Sequence, residues 1–592
     1  MIKHSAIVFM KILSMLKLFN YTSLSKNILI NLKHPHFFGV ANPILANFLL
    51  FHLIILLFSC KMDDEVSSSR PNILIAMSDN QSFPYAGAYG DKLVNTPGFD
   101  YIAEQGVLFM NAFSSSPGCA PSRASILTGR YPWQNEEAGG HQTLYPSKYI
   151  PFTDILEAAG YHVGFTGKGC APFNWKQGGR DRDPAGNEYN DIRYAWADSI
   201  VIPDENIPDP EAFASNISMV DYAENFRSFL AAKSDNRPFC FWYGSREPHV
   251  PFEEGSGLRS GKDIRDVMVP AFLPGHDSVK QSIMDYAFEI DWFDKHLVEM
   301  IEILKEKGEL DNTIIIVTSD NGMQFPYAIA NCYEYGIHVP LAVSWPGKIK
   351  KGRIIEDIVN LTEFAPTLLE LTNISPGEMQ PLSARSFADI LLTDKSGLID
   401  PARDASFSGR ERHSSARWMN LGYPQRAVRT RDFLYIRNYY PERWPAGAPQ
   451  LLDMNDPDKL AYMHGLDENG KYTGEAYCDI DESTTKTYLI ENMENPEVFP
   501  YFELAMGKRP AEELFIIKED PFTVNNIAAD KKYLRDLEKM RMRLDDFLES
   551  TGDPRAVGPN PDIFENYQRF YTVRPFPKPD WVKQDDEILK IK

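Results

Sequence analysis

The sequence predicts an α/β fold in which a mostly parallel sheet lies between helices and a smaller C-terminal α+β sub-domain follows. Up to about residue 382, short continuous apolar runs alternate with segments of helical periodicity, the order expected of parallel strands covered on both faces. After about Ser383, short strands and turns replace this alternation, and a long helical segment lies further on. The 592 residues are enough for about two domains or sub-domains.

Six apolar runs predict the strands of the main sheet. They are residues 72–77, 107–113, 163–166, 238–243, 313–318 and 341–345. Runs of this length without polar alternation are typical of strands buried on both faces. Residues 313–318 give the strongest signal because β-branched side chains fill the run.

Helical segments lie between these runs. The predicted helices are residues 97–105, a helix near Cys119, and residues 151–159, 219–232, 281–307 and 531–550. Pro97 suits a first helical turn, and Gly106 and Gly160 are typical residues at which a helix ends. In the C-terminal part, residues 427–440 predict short strands.

Composition and charge exclude several classes of function. Charged residues make up 24% and hydrophobic residues 43% of the chain, ordinary values for a soluble globular protein. The formal net charge of −21 argues against a nucleic-acid partner. A polyanionic substrate would need basic residues close to its binding site. Such residues can act despite the negative net charge, because salt screens exposed charges beyond about 8–10 Å. The six cysteines lack paired short spacings, so neither a zinc site nor a disulfide framework is indicated.

The N-terminal region predicts a targeting signal rather than a folded domain. Residues 44–58 are strongly apolar, and the following Ser59-Cys60 resembles the end of a lipoprotein signal with Cys60 as the lipidated residue. Residues 61–65 resemble the acidic export tag of some Gram-negative surface lipoproteins. We therefore expect a periplasmic, outer-membrane or cell-surface lipoprotein that acyl chains tether to the membrane. A misassigned start or an uncleaved anchor is the alternative.

These boundaries divide the chain into four parts. Residues 1–60 form the signal and N-terminal extension, and residues 61–70 form a linker. Residues 71–382 form the N-terminal domain, and residues 383–592 form the C-terminal sub-domain.

Polar residues follow several predicted strands at the point where each strand ends. They are Asp79, Asn80, Cys119, Lys168, His249, Asp320 and Asn321. In open α/β sheets, sites form beyond the carboxyl ends of the strands, so we expect one shared active site. The two Asp-Asn pairs offer carboxylate and amide oxygens, the ligands that calcium prefers.

The segment from Cys119 to Arg130 carries the most specific signal. Pro121 suits the first helical position, which places Cys119 just before the helix, where free N–H groups favour an anion. Arg123 lies one turn further on the same face, so its guanidinium is within reach of the Cys119 side chain. This geometry suits a nucleophile that attacks a tetrahedral oxyanion.

These twelve residues resemble the signature of the type I sulfatases, in which a maturase oxidises the Cys of C-x-P-S-R to formylglycine. The likeness runs from about Arg70 to Asp553 and is greatest to heparan N-sulfatases and their bacterial relatives. Further matching segments are residues 124–128, 140–142, 409–413, 423–426, 441–444, 509–514 and 519–528. The resemblance implies an alkaline-phosphatase/sulfatase-like fold, with residues 71–382 as the catalytic domain.

The resemblance also implies roles for individual residues. Ca²⁺ would be held by Asp79, Asn80, Asp320, Asn321 and the formylglycine made from Cys119. Arg123 and Lys168 would stabilise charge on the sulfuryl oxygens, and His249 would protonate the leaving atom. His141 is a further substrate-pocket residue.

Three positions depart from the family pattern. Asn80 stands where Asp is common, Cys170 where His is common, and Ile329 where a Lys or Arg is expected. Either another His contacts the nucleophile in place of Cys170, or the nucleophile is activated differently. The missing cation near Ile329 would come from elsewhere. The substitutes are Arg412, His413, Arg426 and Arg443.

Three functions follow from these residues. The first is sulfate hydrolysis from a sulfated saccharide, above all the N-sulfoglucosamine of heparin or heparan sulfate, with an O-sulfatase as the variant. The second is a phosphonate or phosphodiester hydrolase of the same superfamily. The third is a surface lipoprotein that binds sulfated glycan without turnover, against which the intact signature argues.

Overall fold

The computed structural model describes residues 70–194, 217–234 and 237–582. Within these ranges the strands are β1 (Asn72–Ser78), β2 (Val107–Phe113), β3 (His162–Gly167), β4 (Asn187–Glu188), β5 (Phe239–Gly244), β6 (Thr313–Ser319), β7 (His338–Ser344), β8 (Arg353–Ile355), β9 (Val359–Asn360), β10 (Ala405–Arg410), β11 (Gln425–Thr430), β12 (Phe433–Asn438) and β13 (Glu512–Ile516).

The α-helices are α1 (Pro97–Gln105), α2 (Cys119–Thr128), α3 (Phe152–Ala158), α4 (Tyr222–Ala232), α5 (Ser256–Arg259), α6 (Asp277–Glu306), α7 (Glu334–Ile337), α8 (Phe364–Leu371), α9 (Ala388–Leu392), α10 (Thr484–Glu491), α11 (Phe499–Met506), α12 (Leu534–Ser550) and α13 (Pro554–Val557). From Arg70 onward the chain forms one compact unit.

The main sheet has the order β4-β3-β5-β1-β6-β7-β2-β8, and β9 also pairs with β2. Strand β1 pairs in parallel with both neighbours, so that Ile75 lies opposite Trp242 of β5 and Ile316 of β6. Strand β7 alone runs antiparallel to its neighbours β6 and β2. The prediction of a mostly parallel sheet is therefore confirmed.

Both faces of this sheet are covered by helices. Ile73, Ile75 and Met77 of β1 pack in one apolar cluster with residues of α2, α3 and α8. Leu74 and Ala76 of the same strand pack in another cluster with α1, α4 and α6. Alternate side chains of one strand thus enter two cores, which explains why the strands are continuous apolar runs.

The second sheet is antiparallel, with the order β10-β11-β12-β13. On one face Val428 and Tyr435 pack against Leu537 and Leu544 of α12. The smaller C-terminal α+β part is confirmed in its architecture. The main sheet ends at Asn360 and the second sheet begins at Ala405, and the boundary at residues 382/383 stays a prediction.

The predicted elements differ from the structure mainly at their ends. Helix α6 begins at Asp277, four residues before the predicted start, because His276 accepts the N–H of Ser278 as its N-cap. Helix α4 begins three residues later than predicted, where Asp221 accepts the N–H of Glu224. Such caps depend on local hydrogen bonds that apolar periodicity does not register.

The predicted lipoprotein signal, including Cys60 and the linker, lies outside the described residues. Among the residues that are described, no helix combines the length and apolar composition needed to cross a bilayer. Cys119, Cys170, Cys240, Cys332 and Cys478 are buried free thiols in the described part of the chain.

Candidate active site at the carboxyl edge of the main sheet

The polar residues at the strand ends meet at one cavity. Asp79 follows β1, Lys168 follows β3 and His249 follows β5, and all three line a cavity of about 770 Å³ together with Cys119. Asp320 follows β6 and is completely buried beside them. The structure therefore brings the sequence-predicted catalytic residues together at the edge where parallel strands end.

Helix α2 presents Cys119 from its first turn. The helix begins at Cys119 itself, with Gly118 as its N-cap, so Pro121 is the third residue rather than the first. Proline is tolerated there because the first four N–H groups of a helix have no partner within the helix. The prediction placed Cys119 just before the helix, yet the thiol still lies at the positive end of the helix dipole.

Two buried ion pairs flank Cys119. Arg123 Nε donates to Asp320 Oδ2 at 2.7 Å, and Lys168 Nζ lies 2.5 Å from Asp79 Oδ2. Burial opposes ionisation of Asp79, but the positive charges of Lys168, His249 and Arg123 together outweigh it and lower the pKa of Asp79 to about 2. Asp320 and the carbonyl oxygens of Lys168 and Gly169 hold the guanidinium of Arg123, and its reach over the thiol stays a prediction.

The carboxylates leave oxygen atoms that a cation would satisfy. Ligand atoms of Asp79, Cys119 and Asp320 all lie within 4.8 Å of one another. Asp79 Oδ1 and Asn321 Oδ1 are buried, and neither has a hydrogen-bond partner within the described part of the chain. Because an unpaired buried oxygen is costly, this set of hard donors fits a divalent cation such as Ca²⁺.

Asn80 occupies a strained position beside this set. Its φ is +76°, a left-handed conformation that Asn tolerates better than most residues. Its Oδ1 accepts a hydrogen bond from Asn321 Nδ2 at 2.7 Å, and its own N–H donates to Asp320 Oδ1 at 3.1 Å. Asn80 thus orders the ligand set, and direct coordination by Asn80 stays a prediction.

His141 contacts the nucleophile position. Its Nε2 lies 3.3 Å from Cys119 Sγ, and its ring stacks on that of His413 with 4.8 Å between centroids. Burial raises the pKa of the Cys119 thiol to about 11, so the thiol is protonated at neutral pH and is a weak nucleophile. Burial, with the neighbouring His413, holds the pKa of His141 well below its usual range.

His249 is held by a hydrogen-bond network that fixes its tautomer. Gln324 Oε1 accepts the N–H of Val250 at 2.8 Å, which orients its amide so that Nε2 donates to His249 Nε2 at 3.1 Å. The same Nε2 donates to Asp481 Oδ2 at 2.7 Å. His249 Nδ1 therefore carries the proton and donates to Val250 O, 2.7 Å away.

Comparison with known proteins identifies this constellation. The family model described as Sulfatase matches residues 71–374. The chain belongs to the sulfatase family. A second model, described as N-sulphoglucosamine sulphohydrolase, C-terminal, matches residues 328–468. The chain is thus a hydrolytic enzyme, and the expected alkaline-phosphatase/sulfatase-like fold is confirmed.

Individual relatives agree with the family. The sulfatase is 26% identical over 523 residues to the human N-sulphoglucosamine sulphohydrolase. The aligned region covers 83% of this chain and 93% of the relative. It is 25% identical over 508 residues to an ulvan-active sulfatase of Formosa agariphila, covering 82% and 76% of the two chains. A solved structure in complex with its substrate D-glucosamine-2-N,6-O-disulfate matches with a TM-score of 0.54 and 19% identity, over 83% of this chain and 99% of that one. A phosphonate monoester hydrolase of Agrobacterium radiobacter shares the fold with a TM-score of 0.56 and 16% identity, over 81% and 96%.

The arginines proposed to replace the cation near Ile329 do not enter the cavity of this sulfatase. Arg426 is 1% exposed and is held by Asp553 and Glu411, so the structure assigns it a structural place rather than the expected substrate contact. Arg443 pairs with Glu565 in the same way. Arg412 donates to the carbonyl oxygens of Asn420 and Tyr567. The guanidinium groups that do line the cavity belong to the exposed Arg193 and Arg246.

The two other departures have clear structural settings. Ile329 is 1% exposed within an apolar cluster. Cys170 is fully buried in the apolar cluster under α2, and its N–H donates to Asp183 Oδ1 at 2.9 Å. Of the two alternatives for the missing histidine, the geometry favours another His, because His141 supplies the contact with Cys119.

Sequence reasoning missed three residues that shape the site. Gln324 and Asp481 hold His249, and Glu289 lines the cavity at 2% exposure. Burial, together with the charge of Glu247, raises the pKa of Glu289 well above its usual range. Gln324 lies four residues after Asp320, so its closeness to a predicted site residue is a signal that could have identified it. No local pattern marks Asp481 or Glu289.

Proposed function

We propose that this sulfatase removes sulfate from a sulfated saccharide, and that the preferred bond is the sulfamate of N-sulfoglucosamine in heparin or heparan sulfate. The observation that carries the proposal is the clustering of Cys119, Asp79 and Asp320 ligand atoms within 4.8 Å, with Arg123 and Lys168 as neighbours. The match of residues 328–468 to the C-terminal model of N-sulphoglucosamine sulphohydrolases supports the sulfamate.

The residues of the cavity fit attack on sulfur. Conversion of the Cys119 thiol to formylglycine would supply a hydrated aldehyde, with one hydroxyl to attack sulfur and one to expel sulfate. A Ca²⁺ ion held by Asp79, Asp320 and Asn321 would supply positive charge next to that group. Lys168 Nζ at the cavity, with the buried guanidinium of Arg123 that pairs with Asp320, would stabilise charge on the sulfuryl oxygens.

His249 orients the leaving group. In the free enzyme its Nε2 accepts a hydrogen bond from Gln324, so the ring must take up a proton before it can act as a general acid. Because Nδ1 donates to Val250 O and Nε2 accepts from Gln324, one of these two hydrogen bonds must open before His249 can exchange a proton with the leaving nitrogen or oxygen.

The maturation of Cys119 and the localisation of the enzyme belong to the same proposal. A formylglycine-generating maturase would act on Cys119 before folding, since the thiol is only 5% exposed in the folded chain. Lipidation of Cys60 would tether the enzyme in the periplasm or at the outer membrane of a Gram-negative bacterium, where sulfated saccharides arrive from outside. The net charge of −21 supports the exclusion of nucleic acid as a partner.

Mass spectrometry of the Cys119 peptide and ion chromatography of released sulfate test the proposal. Protein co-produced with a maturase should carry an aldehyde at position 119 and release sulfate from glucosamine N-sulfate. Cys119→Ala should release none, whereas Cys478→Ala, which alters a buried thiol outside the cavity, should retain activity. Release only from O-sulfated sugars would replace the sulfamate by an ester, and release of phosphonate alone would overturn the sulfatase assignment.

Thermal unfolding tests the cation site without relying on activity. Added Ca²⁺ should raise the melting temperature of the wild type, because a ligand that binds only the folded state stabilises it. Asp79→Asn removes one ligand charge and should abolish most of this rise. An equal rise in wild type and variant would contradict the assignment of these ligands.

A further inference from the structure

A second cavity of about 270 Å³ adjoins the active-site cavity. Its lining residues are Phe173, Asn174, Trp175, Lys176, Phe570 and Tyr571. They come from two distant segments, the loop after β3 and the C-terminal region beyond α13. The cavity is therefore built by tertiary contact and is not a local feature of one loop.

The two cavities share a wall. Ala171 and Pro172 line the active-site cavity, and the chain passes directly from them into Phe173 of the second cavity. Gln142 also lines the active-site cavity, and its carbonyl oxygen accepts the N–H of Phe570 at 3.0 Å. The side-chain Oε1 of Gln142 is buried and has no hydrogen-bond partner among the described residues.

The walls of the second cavity suit an anionic sugar. Trp175 is half-buried and Tyr571 is 50% exposed, so both rings offer apolar surface with little cost in side-chain ordering. Lys176 Nζ lies 5.3 Å from the centroid of the Trp175 ring, which keeps an ammonium group beside the aromatic face. An aromatic wall accepts the C–H face of a sugar ring, and the ammonium offers three donors to a sulfate or carboxylate.

We infer that this second cavity binds the sugar next to the one that loses its sulfate, within a saccharide chain whose neighbouring unit carries a sulfate or carboxylate. The inference rests on the proposed function and extends it. The enzyme's preferred substrate is then an oligosaccharide, because a monosaccharide leaves Trp175, Lys176 and Tyr571 without contacts.

Kinetics on a sulfated monosaccharide and on a tetrasaccharide with the same sulfate test the inference. Trp175→Ala should lower kcat/KM for the tetrasaccharide by about tenfold, which corresponds to about 1.4 kcal/mol, and leave kcat/KM for the monosaccharide unchanged. Tyr571→Ala and Lys176→Ala should act in the same direction, and Lys176→Ala should also weaken the salt dependence. Tyr462→Ala is the matched control, because Tyr462 is 45% exposed but lines neither cavity.

The outcomes separate this inference from the proposed function. Equal losses on both substrates, or no loss on the tetrasaccharide, would overturn the subsite. If neither substrate released sulfate, the proposed function would fail, and affinity electrophoresis of the protein in gels with and without heparin or chondroitin sulfate would then test the subsite. A glycan that retards the wild type but not Trp175→Ala would support the subsite. Equal migration of the wild type and the variant in the glycan gel would overturn it.

Discussion

At the scale of single residues, the site combines predictable positions with partners that only the fold reveals. Asp79, Cys119 and Asp320 follow strands that apolar runs identify, so their convergence was predictable from sequence. Asp481 lies in a segment without apolar periodicity, 157 residues from its hydrogen-bond partner Gln324. No local pattern encodes a pairing over that distance, so the partners of His249 could not be predicted from the sequence.

His141 is the residue whose role changed most, from a pocket residue to a direct neighbour of the nucleophile. We expect His141→Ala to lower kcat by about 10²-fold or more, with a smaller change in KM, since a positioned acid–base group contributes on that order. The measurement is steady-state kinetics, accompanied by mass spectrometry to show that position 119 is matured equally. His276→Ala, which alters an exposed histidine outside the cavity, should leave kcat unchanged.

Cys170→His tests whether the family histidine can be restored at its usual place. Cys170 is enclosed in an apolar cluster, so a larger polar ring there would be overpacked and poorly solvated. We expect the variant to unfold at lower denaturant concentration and to give no recovery of kcat in the His141→Ala background. Recovery of activity in the double variant would show that position 170 still faces the nucleophile.

At the scale of elements, the alternation of strands and helices was predictable, whereas their junctions were not. The antiparallel direction of β7 has no signature in an apolar run, because a strand buried on both faces gives the same pattern in either direction. Arg426 illustrates the same limit. Its sequence motif suggested a ligand contact, but β11 places its guanidinium between two carboxylates. Glu411 precedes Arg426 in the chain and Asp553 follows it.

Arg426→Met should therefore affect stability rather than substrate affinity. Arg426 Nε lies 2.7 Å from Asp553 Oδ2, and removal of the guanidinium leaves the buried Asp553 carboxylate without this ion pair and Glu411 with Arg555 as its remaining partner. Breaking such a pair costs about 3–5 kcal/mol, which chemical denaturation would detect as a lower midpoint. KM of the remaining folded enzyme should stay at the wild-type value. Arg265→Met, which breaks an exposed pair, should change the midpoint little.

At the scale of the whole molecule, the active site draws on both parts of the chain. The nucleophile and the cation ligands come from the main sheet, while Asp481 and His413 come from the part that contains the second sheet. The net charge of −21 extends to the cavity, where six carboxyl-bearing residues lie beside Lys168, Arg193 and Arg246, so a bound anion depends on contacts with these three cations. A strongly acidic protein can in this way bind a sulfated ligand.

The pH dependence of stability follows from buried carboxyl groups. Asp294 accepts the N–H groups of Gly98 and Phe99 at 2.6 and 2.7 Å, yet burial prevails and raises its pKa from 3.8 to about 7. The folded state then binds more protons than the unfolded state between these values, so stability falls as pH rises from about 4 to 7. A shift of this size corresponds to about 4 kcal/mol at most.

Differential scanning calorimetry of the apoprotein between pH 5 and pH 8 measures this effect. We expect the melting temperature to be lower at pH 8, both because Asp294 must ionise within the core and because the net negative charge repels itself more strongly. Asp294→Asn cannot ionise and should show a smaller difference between the two pH values. Asp311→Asn makes the same change of charge at an exposed position and should keep the wild-type difference. If Asp294→Asn retained that difference as well, the ionisation of Asp294 would not be its source, and the two backbone N–H groups at the start of α1 would be sufficient to hold the carboxylate charged.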